Sequence, residues 1–181
     1  METWLNSEII FAGKIFSVRT GDVRLDDGNE TTREIVEHSG GVAIVPIVGQ
    51  DILLIRQFRI SIGRAITELP AGRLERGDTP DLRASIELEE ELGYRAGKLI
   101  LTNAYYSTVG FTNEKMYIYL GVNLHETEKK PEWDERIDIL RLPIARKEPM
   151  LLNNEFEDAK TIIGLYAMLA YLRAYPNTLN P

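Results

Sequence analysis

Residues 72–94 read GRLERGDTPDLRASIELEEELGY, in which a glycine-containing loop leads into a segment rich in glutamate. A helix is predicted over residues 80–92, because Pro80 suits a first helical position, Thr79 stands at the N-cap and Gly93 follows the last turn. Its apolar side is expected to carry Leu82, Ile86 and Leu92. The helix should therefore pack on a core through one side and present carboxylates on another.

Three glutamates, Glu87, Glu90 and Glu91, fall on one face of this helix because they are spaced i, i+3 and i+4. Like charges at this spacing repel and weaken an isolated helix by about 0.2–0.5 kcal/mol per pair. A cluster of hard oxygen ligands suits Mg²⁺ or Mn²⁺, which bind substrate phosphates as their remaining ligands. The alternative is a solvated acidic face, as most charge runs are, and the cluster alone leaves both interpretations open.

The spacing of the whole segment resembles the Nudix box, G-x5-E-x7-R-E-U-x-E-E-x-G-U, where U is an apolar residue. Gly72, the three glutamates and Gly93 fall in register, and Tyr94 occupies the last apolar position. Two positions depart from the pattern, since Asp78 stands for its first glutamate and Ile86 for its arginine.

The arginine of the box helps hold the glutamates in position in the family that this chain resembles. Arg83 lies one turn before Glu87 on the predicted helix and is a candidate for a partial replacement. The departure at Ile86 therefore predicts weakened catalysis, while the fold is expected to remain.

Segments outside the box resemble the ADP-ribose pyrophosphatase subfamily. QFR at residues 57–59 and ELPAG at residues 68–72 are similar to its QYR and ELPAG stretches. STVGFTNE at residues 107–114 is similar to its SPGF-S-x-E segment, with Val109 in place of the proline. WDERI and DAKT, at residues 133–137 and 158–161, resemble its late acidic loop and the opening of its last helix. The resemblance covers roughly residues 35–173.

The resemblance implies hydrolysis of a nucleoside diphosphate linked to another moiety, with ADP-ribose, cleaved to AMP and ribose 5-phosphate, as the first choice. Two alternatives stay open. One is another nucleotide-sugar pyrophosphatase, and the other is a Nudix-fold ligand-binding protein with weakened catalysis. Ile86 and Val109 favour the binding protein, whereas the intact glutamates argue against it.

The resemblance also implies a Mg²⁺ or Mn²⁺ site. Its ligands would be the backbone carbonyl oxygen of Ala71 and the carboxylates of Glu87, Glu90 and Glu91. A general base is expected from the late acidic loop, where Glu135 is preferred to Glu132 and Asp134 because it directly precedes a predicted strand. The residues assigned to catalysis are Glu135, Glu90 and Glu132. The alternative for the two loop residues, Glu132 and Glu135, is solvated surface, as is usual for acids in a loop.

Substrate contacts are assigned to Arg59, Glu68, Phe111 and Glu114. Arg59 offers a planar fork to a phosphate, and Phe111, or one of Tyr105 and Tyr106, would stack on a base or line a sugar pocket. Each has a structural alternative, because strand aromatics commonly belong to a core. Arg59 would equally pair with an acid, and Glu68 with Arg59 or Arg64.

Composition sets further limits on the class of protein. The 181 residues are 44% hydrophobic, enough for one sizeable core, and the net charge of −7 without a basic cluster disfavours nucleic-acid binding. No cysteine is present, which excludes disulfides and thiolate zinc sites, and with no signal-like N-terminal segment it indicates the cytoplasm. No apolar run approaches the ~20 residues that span a bilayer.

Periodicity predicts strands at residues 8–11, 15–25, 33–38, 43–48, 52–57, 99–105, 115–122 and 136–142, and helices at residues 80–92 and 158–175. This order indicates an α/β fold, a Nudix-type α/β/α sandwich with a mixed sheet and an N-terminal β-hairpin extension. Residues 1–40 are assigned to the extension and 41–181 to the Nudix hydrolase domain. The extension matches the Nudix core poorly, and by analogy it implies a homodimer. The alternative is a small appendage on a monomer.

Overall fold

The computed structural model describes residues 1–130, 133 and 135–179, and it divides into two compact units. One unit comprises residues 1–40 with 105–116, and the other comprises 41–104 with 117–181. The segment 105–116 therefore groups with the N-terminal residues, although it lies far from them in sequence. Sequence periodicity contains no signal for this grouping.

The N-terminal unit contains a four-stranded sheet. Its strands are β1 (Thr3–Trp4), β2 (Glu8–Ala12), β3 (Phe16–Arg24) and β4 (Glu30–His38). Strand β4 pairs along all of β3, whereas β1 and β2 pair with successive stretches of it. The predicted hairpin around residues 12–14 is confirmed, and the short β1 was missed.

The larger unit contains a seven-stranded sheet, in which β9 and β10 extend beyond the unit's own residues. Its strands are β5 (Gly41–Val48), β6 (Asp51–Arg59), β7 (Arg64–Glu68), β8 (Ala71–Arg73), β9 (Tyr94–Tyr106), β10 (Lys115–Glu126) and β11 (Ile137–Pro143). The main order is β11-β6-β5-β10-β9, with β7 on β6 and β8 on β5. The sequence analysis missed β7 and β8, which are short and carry no alternation of apolar and polar residues.

Three helices accompany the strands. They are α1 (Pro80–Glu87), α2 (Lys147–Leu152) and α3 (Ala159–Ala174). A π-helical turn, Leu88–Leu92, continues α1, and 3₁₀ turns span Ile144–Arg146 and Pro176–Leu179. The two long predicted helices are confirmed, whereas α2 was missed. None of the helices in the described part of the chain combines the length and apolarity needed to cross a bilayer.

The alternation of side chains along β5 creates the layers of the larger unit. Ile44 packs in a core cluster with Leu88 on the α1 side. Val45 faces α3, where a Cβ built on Gly164 would lie 3.2 Å from the valine side chain. Helices thus cover both faces of the sheet, and the predicted α/β/α sandwich is confirmed.

The packing face of α1 differs from the predicted one. Leu82 is 49% exposed, and the buried apolar positions are Ala84, Leu88 and Leu92. Thr79 does take the N-cap position, but its side chain makes no capping hydrogen bond. Gly93 ends the π-helical turn at φ 71°, as predicted, because glycine adopts the left-handed conformation without strain.

Candidate active site

The side chain of Glu87 lies against the backbone of β8. A Cβ built on Gly72 would fall 1.6 Å from Oε1 of Glu87, so a side chain at this position would displace the carboxylate. Strand β8 is held in place by antiparallel pairing with β5, in which Gly72 faces Val42. Gly72 is therefore required for the close approach of the Glu87 carboxylate.

The side chain of Glu91 accepts a hydrogen bond from the same stretch of backbone. The N–H group of Ala71 donates to Oε2 of Glu91 at 3.0 Å. The two carboxylates, which are four residues apart, thus approach neighbouring residues of β8. Both are buried, with only 8% of Glu87 and 2% of Glu91 exposed.

Burial controls the titration of both carboxyl groups. It raises the pKa of Glu87 to about 7, against the lowering effect of Arg83 and with further raising effects from Glu90 and Glu135. Burial also raises the pKa of Glu91 to about 9, with added repulsion from Glu87 and Glu135. The alternative of a solvated acidic face is therefore wrong for Glu87 and Glu91, which are both buried and whose charges repel each other.

Glu135 belongs to this cluster, because its charge contributes to the raised pKa of both Glu87 and Glu91. It is half-buried and lies two residues before β11 begins. The alternative bases, Glu132 and Asp134, lie outside the described residues. Glu90 is half-buried on the π-helical turn, and its charge acts on Glu87.

These carboxylates match the donor chemistry that a divalent cation needs. Nudix hydrolases generally use such a cation, and hard oxygen donors suit Mg²⁺ and Mn²⁺. A cation would stabilise the charged forms of Glu87 and Glu91, against the burial and the repulsion that raise their pKa values. Within residues 1–130, 133 and 135–179, no group of three or more His, Cys, Asp or Glu side chains is arranged to hold a metal ion. The donor types therefore fit a divalent cation. In the structure, Arg83 contacts the carboxylate of Glu87, and the N–H of Ala71 contacts that of Glu91.

Arg83 makes the contacts that its position in sequence suggested. Its Nε donates to Asp78 at 2.7 Å, its Nη1 lies 3.5 Å from Oε1 of Glu87, and its Nη2 lies 3.3 Å from Glu75. The Arg83 side chain is only 12% exposed. Arg83 therefore connects the two departures from the box. It pairs with Asp78, which stands for the glutamate, and it lies three positions before Ile86, which stands for the arginine.

Arg59 and Glu68 contact each other. Nε and Nη2 of Arg59 donate to the two carboxylate oxygens of Glu68 at 2.6 and 3.0 Å. Lys160 donates to Oε2 of the same glutamate at 2.5 Å, and Arg64 instead pairs with Glu157. Glu68 is 2% exposed and binds the side chains of Arg59 and Lys160. The Arg59 side chain remains 37% exposed.

The other two predicted substrate contacts lie in the N-terminal unit. Phe111 is 56% exposed, and its carbonyl oxygen accepts a hydrogen bond from the N–H of Val36. Glu114 lies 3.5 Å from Nδ1 of His38. Phe111 also lines a cavity of about 390 Å³ together with Trp4 and Arg33.

The sequence analysis missed two residues that contact the segment leading into the site, one through its backbone and one through a side chain. Thr161 is fully buried and accepts a hydrogen bond from the N–H of Leu69, and Lys160 contacts Glu68. Both belong to the DAKT segment, whose resemblance to the start of a last helix was noted without a role. That resemblance was the only available signal.

The sequence is similar to known proteins over most of its length. The sequence pattern described as NUDIX domain matches residues 37–162. An ADP-ribose pyrophosphatase of Bacillus subtilis (strain 168) is 37% identical over 167 residues, which cover 91% of this chain and 90% of that protein. An ADP-ribose pyrophosphatase of Mycobacterium tuberculosis (strain ATCC 25618 / H37Rv) is 35% identical over 170 residues, covering 92% and 82%.

A solved structure shares the fold over nearly its whole length. The crystal structure of an ADP compounds hydrolase superposes with a TM-score of 0.86 at 24% identity, covering 96% of this chain and 95% of that one. The present chain belongs to the Nudix family. It is a Nudix pyrophosphohydrolase, as the resemblance implied.

Arg83→Met is expected to weaken binding of Mn²⁺ to the substrate-free protein about tenfold, because a hydrogen bond to a charged group contributes about 1.5–3 kcal/mol. Ile86→Arg in the same variant should restore most of the affinity, since position 86 is half-buried on the same helix. Electron paramagnetic resonance of free Mn²⁺ measures this.

Arg95→Met is the matched control for the Arg83 experiment. The Arg95 side chain is 66% exposed and forms an ion pair with Glu89. If Mn²⁺ binds Arg83→Met as tightly as wild type or more tightly, Arg83 acts as a competing positive charge and does not position Glu87.

Proposed function

We propose that this protein hydrolyses ADP-ribose to AMP and ribose 5-phosphate in a reaction that requires Mg²⁺ or Mn²⁺. The observation that carries the proposal is the burial of Glu87 and Glu91 against the backbone of Ala71 and Gly72, with Glu135 close enough to affect both pKa values. The choice of ADP-ribose is supported by the two relatives named ADP-ribose pyrophosphatase.

The residues of the site divide the work of the reaction. Glu87, Glu90, Glu91 and the carbonyl oxygen of Ala71 would hold the cation. The bound cation supplies charge neutralisation of the diphosphate and lowers the pKa of a water molecule. Arg59, with its side chain partly exposed, would hold a phosphate oxygen through the part of its guanidinium that Glu68 leaves available.

Glu135 is the proposed general base. Its carboxylate would accept a proton from the attacking water, which forms a bond to phosphorus as the bond from that phosphorus to the bridging oxygen breaks. The bridging oxygen leaves with the other phosphate group. Glu135 suits this role because it approaches the carboxylate pair from the segment before β11, outside α1.

Release of the nucleoside monophosphate, AMP or GMP, from a substrate panel tests the proposed function. Purified protein is incubated with ADP-ribose, a nucleotide sugar such as GDP-mannose, and a dinucleotide, each with Mg²⁺, with Mn²⁺ and with a chelator. We expect kcat/KM to be highest for ADP-ribose and product to be absent with the chelator. A higher kcat/KM for the nucleotide sugar would reassign the substrate. Binding without any turnover would favour the Nudix-fold ligand-binding alternative.

We also propose that the N-terminal unit takes part in a homodimer. Strand β2 lies at the edge of its sheet, and all five of its residues are exposed. The nearby apolar side chains that are 40–60% exposed are Ile9, Ile10, Phe11, Ile15 and Phe16. Such an edge favours association with another chain, and sedimentation equilibrium distinguishes dimer from monomer. The absence of cysteine supports a proposed cytoplasmic location.

A further inference from the structure

Thr161, in the first turn of α3, is a buried polar residue whose hydroxyl and backbone N–H both form hydrogen bonds. Its hydroxyl donates to Oδ2 of Asp158 at 2.6 Å and accepts from the N–H of Leu69 at 2.8 Å. Its own N–H donates to the same oxygen of Asp158 at 3.0 Å, which makes Asp158 the N-cap of α3. The hydroxyl is therefore fixed in direction and connects α3 to the backbone at Leu69.

The backbone that Thr161 contacts continues directly into the active site. The carbonyl of Pro70 accepts a hydrogen bond from the N–H of Ile44 at 2.9 Å, and the N–H of Ala71 donates to Glu91. The Leu69 side chain is fully buried, and a Cβ on Gly164 of α3 would lie only 2.5 Å from it. Each of three consecutive residues is thus held by a different element.

Lys160, the neighbour of Thr161, holds the preceding residue of the same segment. Its Nζ donates to Oε2 of Glu68 and, at 3.0 Å, to Oδ1 of Asp158. Arg59 also donates to Glu68. Two basic side chains, Arg59 and Lys160, thus pair with two carboxylates in a largely buried group. Although burial raises the pKa of Glu68, Arg59 and Lys160 together bring it below its usual value, so this glutamate is charged.

We propose that Thr161 and Lys160 are positioning residues of the cation site. They fix Leu69 and Glu68, and this fixes the backbone of Ala71 and Gly72 against Glu91 and Glu87. The inference deepens the proposed function and rests on its assignment of those glutamates to the cation. Its consequence is that a change in α3, which contributes no carboxylate to the site, alters the affinity of the site for a divalent cation.

Binding of Mn²⁺ to the substrate-free protein tests this inference. Thr161→Val keeps the shape of the side chain but removes both hydrogen bonds of the hydroxyl, whereas Thr161→Ser keeps the hydroxyl. We expect the Kd for Mn²⁺ to rise about tenfold in Thr161→Val, the free-energy scale of one or two lost hydrogen bonds, and to stay within about threefold of wild type in Thr161→Ser. Circular dichroism identifies variants that remain folded.

Leu169→Ala is the matched control for a general loss of stability. Leu169 is buried in α3 about two turns beyond Thr161, and its truncation removes packing at a distance from Leu69. We expect a lower Tm in Leu169→Ala with an unchanged Kd for Mn²⁺. An equal rise of the Kd in Leu169→Ala and Thr161→Val would overturn the inference, as would an unchanged Kd in folded Thr161→Val.

Lys160→Met decides the result if Thr161→Val does not fold. The Lys160 side chain is 16% exposed, and methionine retains most of its apolar length. A severalfold rise in the Kd for Mn²⁺ supports the inference, and wild-type affinity overturns it. Because these measurements contain no substrate, failure of the wild-type protein to cleave ADP-ribose would overturn the proposed function without changing their outcome.

Discussion

Glu91→Gln is expected to lower kcat at least about a hundredfold while the protein stays folded. The substitution removes the charge of a carboxylate that is 2% exposed and that receives the N–H of Ala71. The amide oxygen can still accept that hydrogen bond, and the shape of the side chain is retained. Burial, with repulsion from Glu87 and Glu135, raises the pKa of Glu91 to about 9, so the cation-free protein must take up a proton there when it folds at neutral pH. The amide avoids this cost, and the free energy of unfolding of the cation-free protein should be unchanged or slightly higher.

Steady-state kinetics at saturating Mg²⁺ and thermal denaturation measure the two effects. Glu89→Gln is the matched control, because Glu89 lies on the same π-helical turn but pairs with the exposed Arg95. Glu89→Gln should retain wild-type turnover. Turnover of Glu91→Gln within threefold of wild type would remove Glu91 from the proposed set of cation ligands.

Glu135→Gln is expected to lower kcat by two to four orders of magnitude while KM changes little, which is roughly the contribution of a general base. The physical reason is that proton transfer from water occurs only in the transition state, so its loss leaves substrate binding intact. The proximity of Glu135 to the carboxylate pair, visible in its effect on the pKa values of Glu87 and Glu91, supports this choice.

Glu132→Gln is the internal control for this prediction, since it is the same change of acid to amide three residues earlier. We expect it to retain most of the wild-type kcat. A crippled Glu132→Gln beside an active Glu135→Gln would make Glu132 the base. If neither variant is impaired, water is activated by the cation and the helix glutamates without a base from this segment.

Local signals predicted the carboxylate helix well. Pro80 opens α1, Gly93 ends the π-helical turn in the left-handed conformation, and Thr79 takes the N-cap position. These features depend on the conformational preferences of single residues, which act wherever the residue occurs. The π-helical form of the last turn was not predictable, because its sequence, LEEEL, also suits an α-helix.

Which side chains of α1 are buried depends on tertiary contacts, and the local sequence does not predict these contacts. Leu82 was expected in the core and is half exposed, whereas the small Ala84 is fully buried. The buried Glu87 runs against the ordinary preference of charged residues for the surface, and only the absence of a side chain at Gly72 makes room for it. Hydrophobicity alone therefore misassigned both an apolar and a charged position.

The sequence by itself determined the Nudix family and the long helices. It also brought Glu87 and Glu91 to neighbouring residues of β8, because helical geometry relates residues that are four apart. The tertiary structure decided which carboxylates are buried, that Arg83 contacts both Asp78 and Glu87, and that Thr161 holds Leu69 across 92 positions of sequence. Such a contact exists only when the sheet and α3 have packed, since packing sets the distance between segments that no local preference relates.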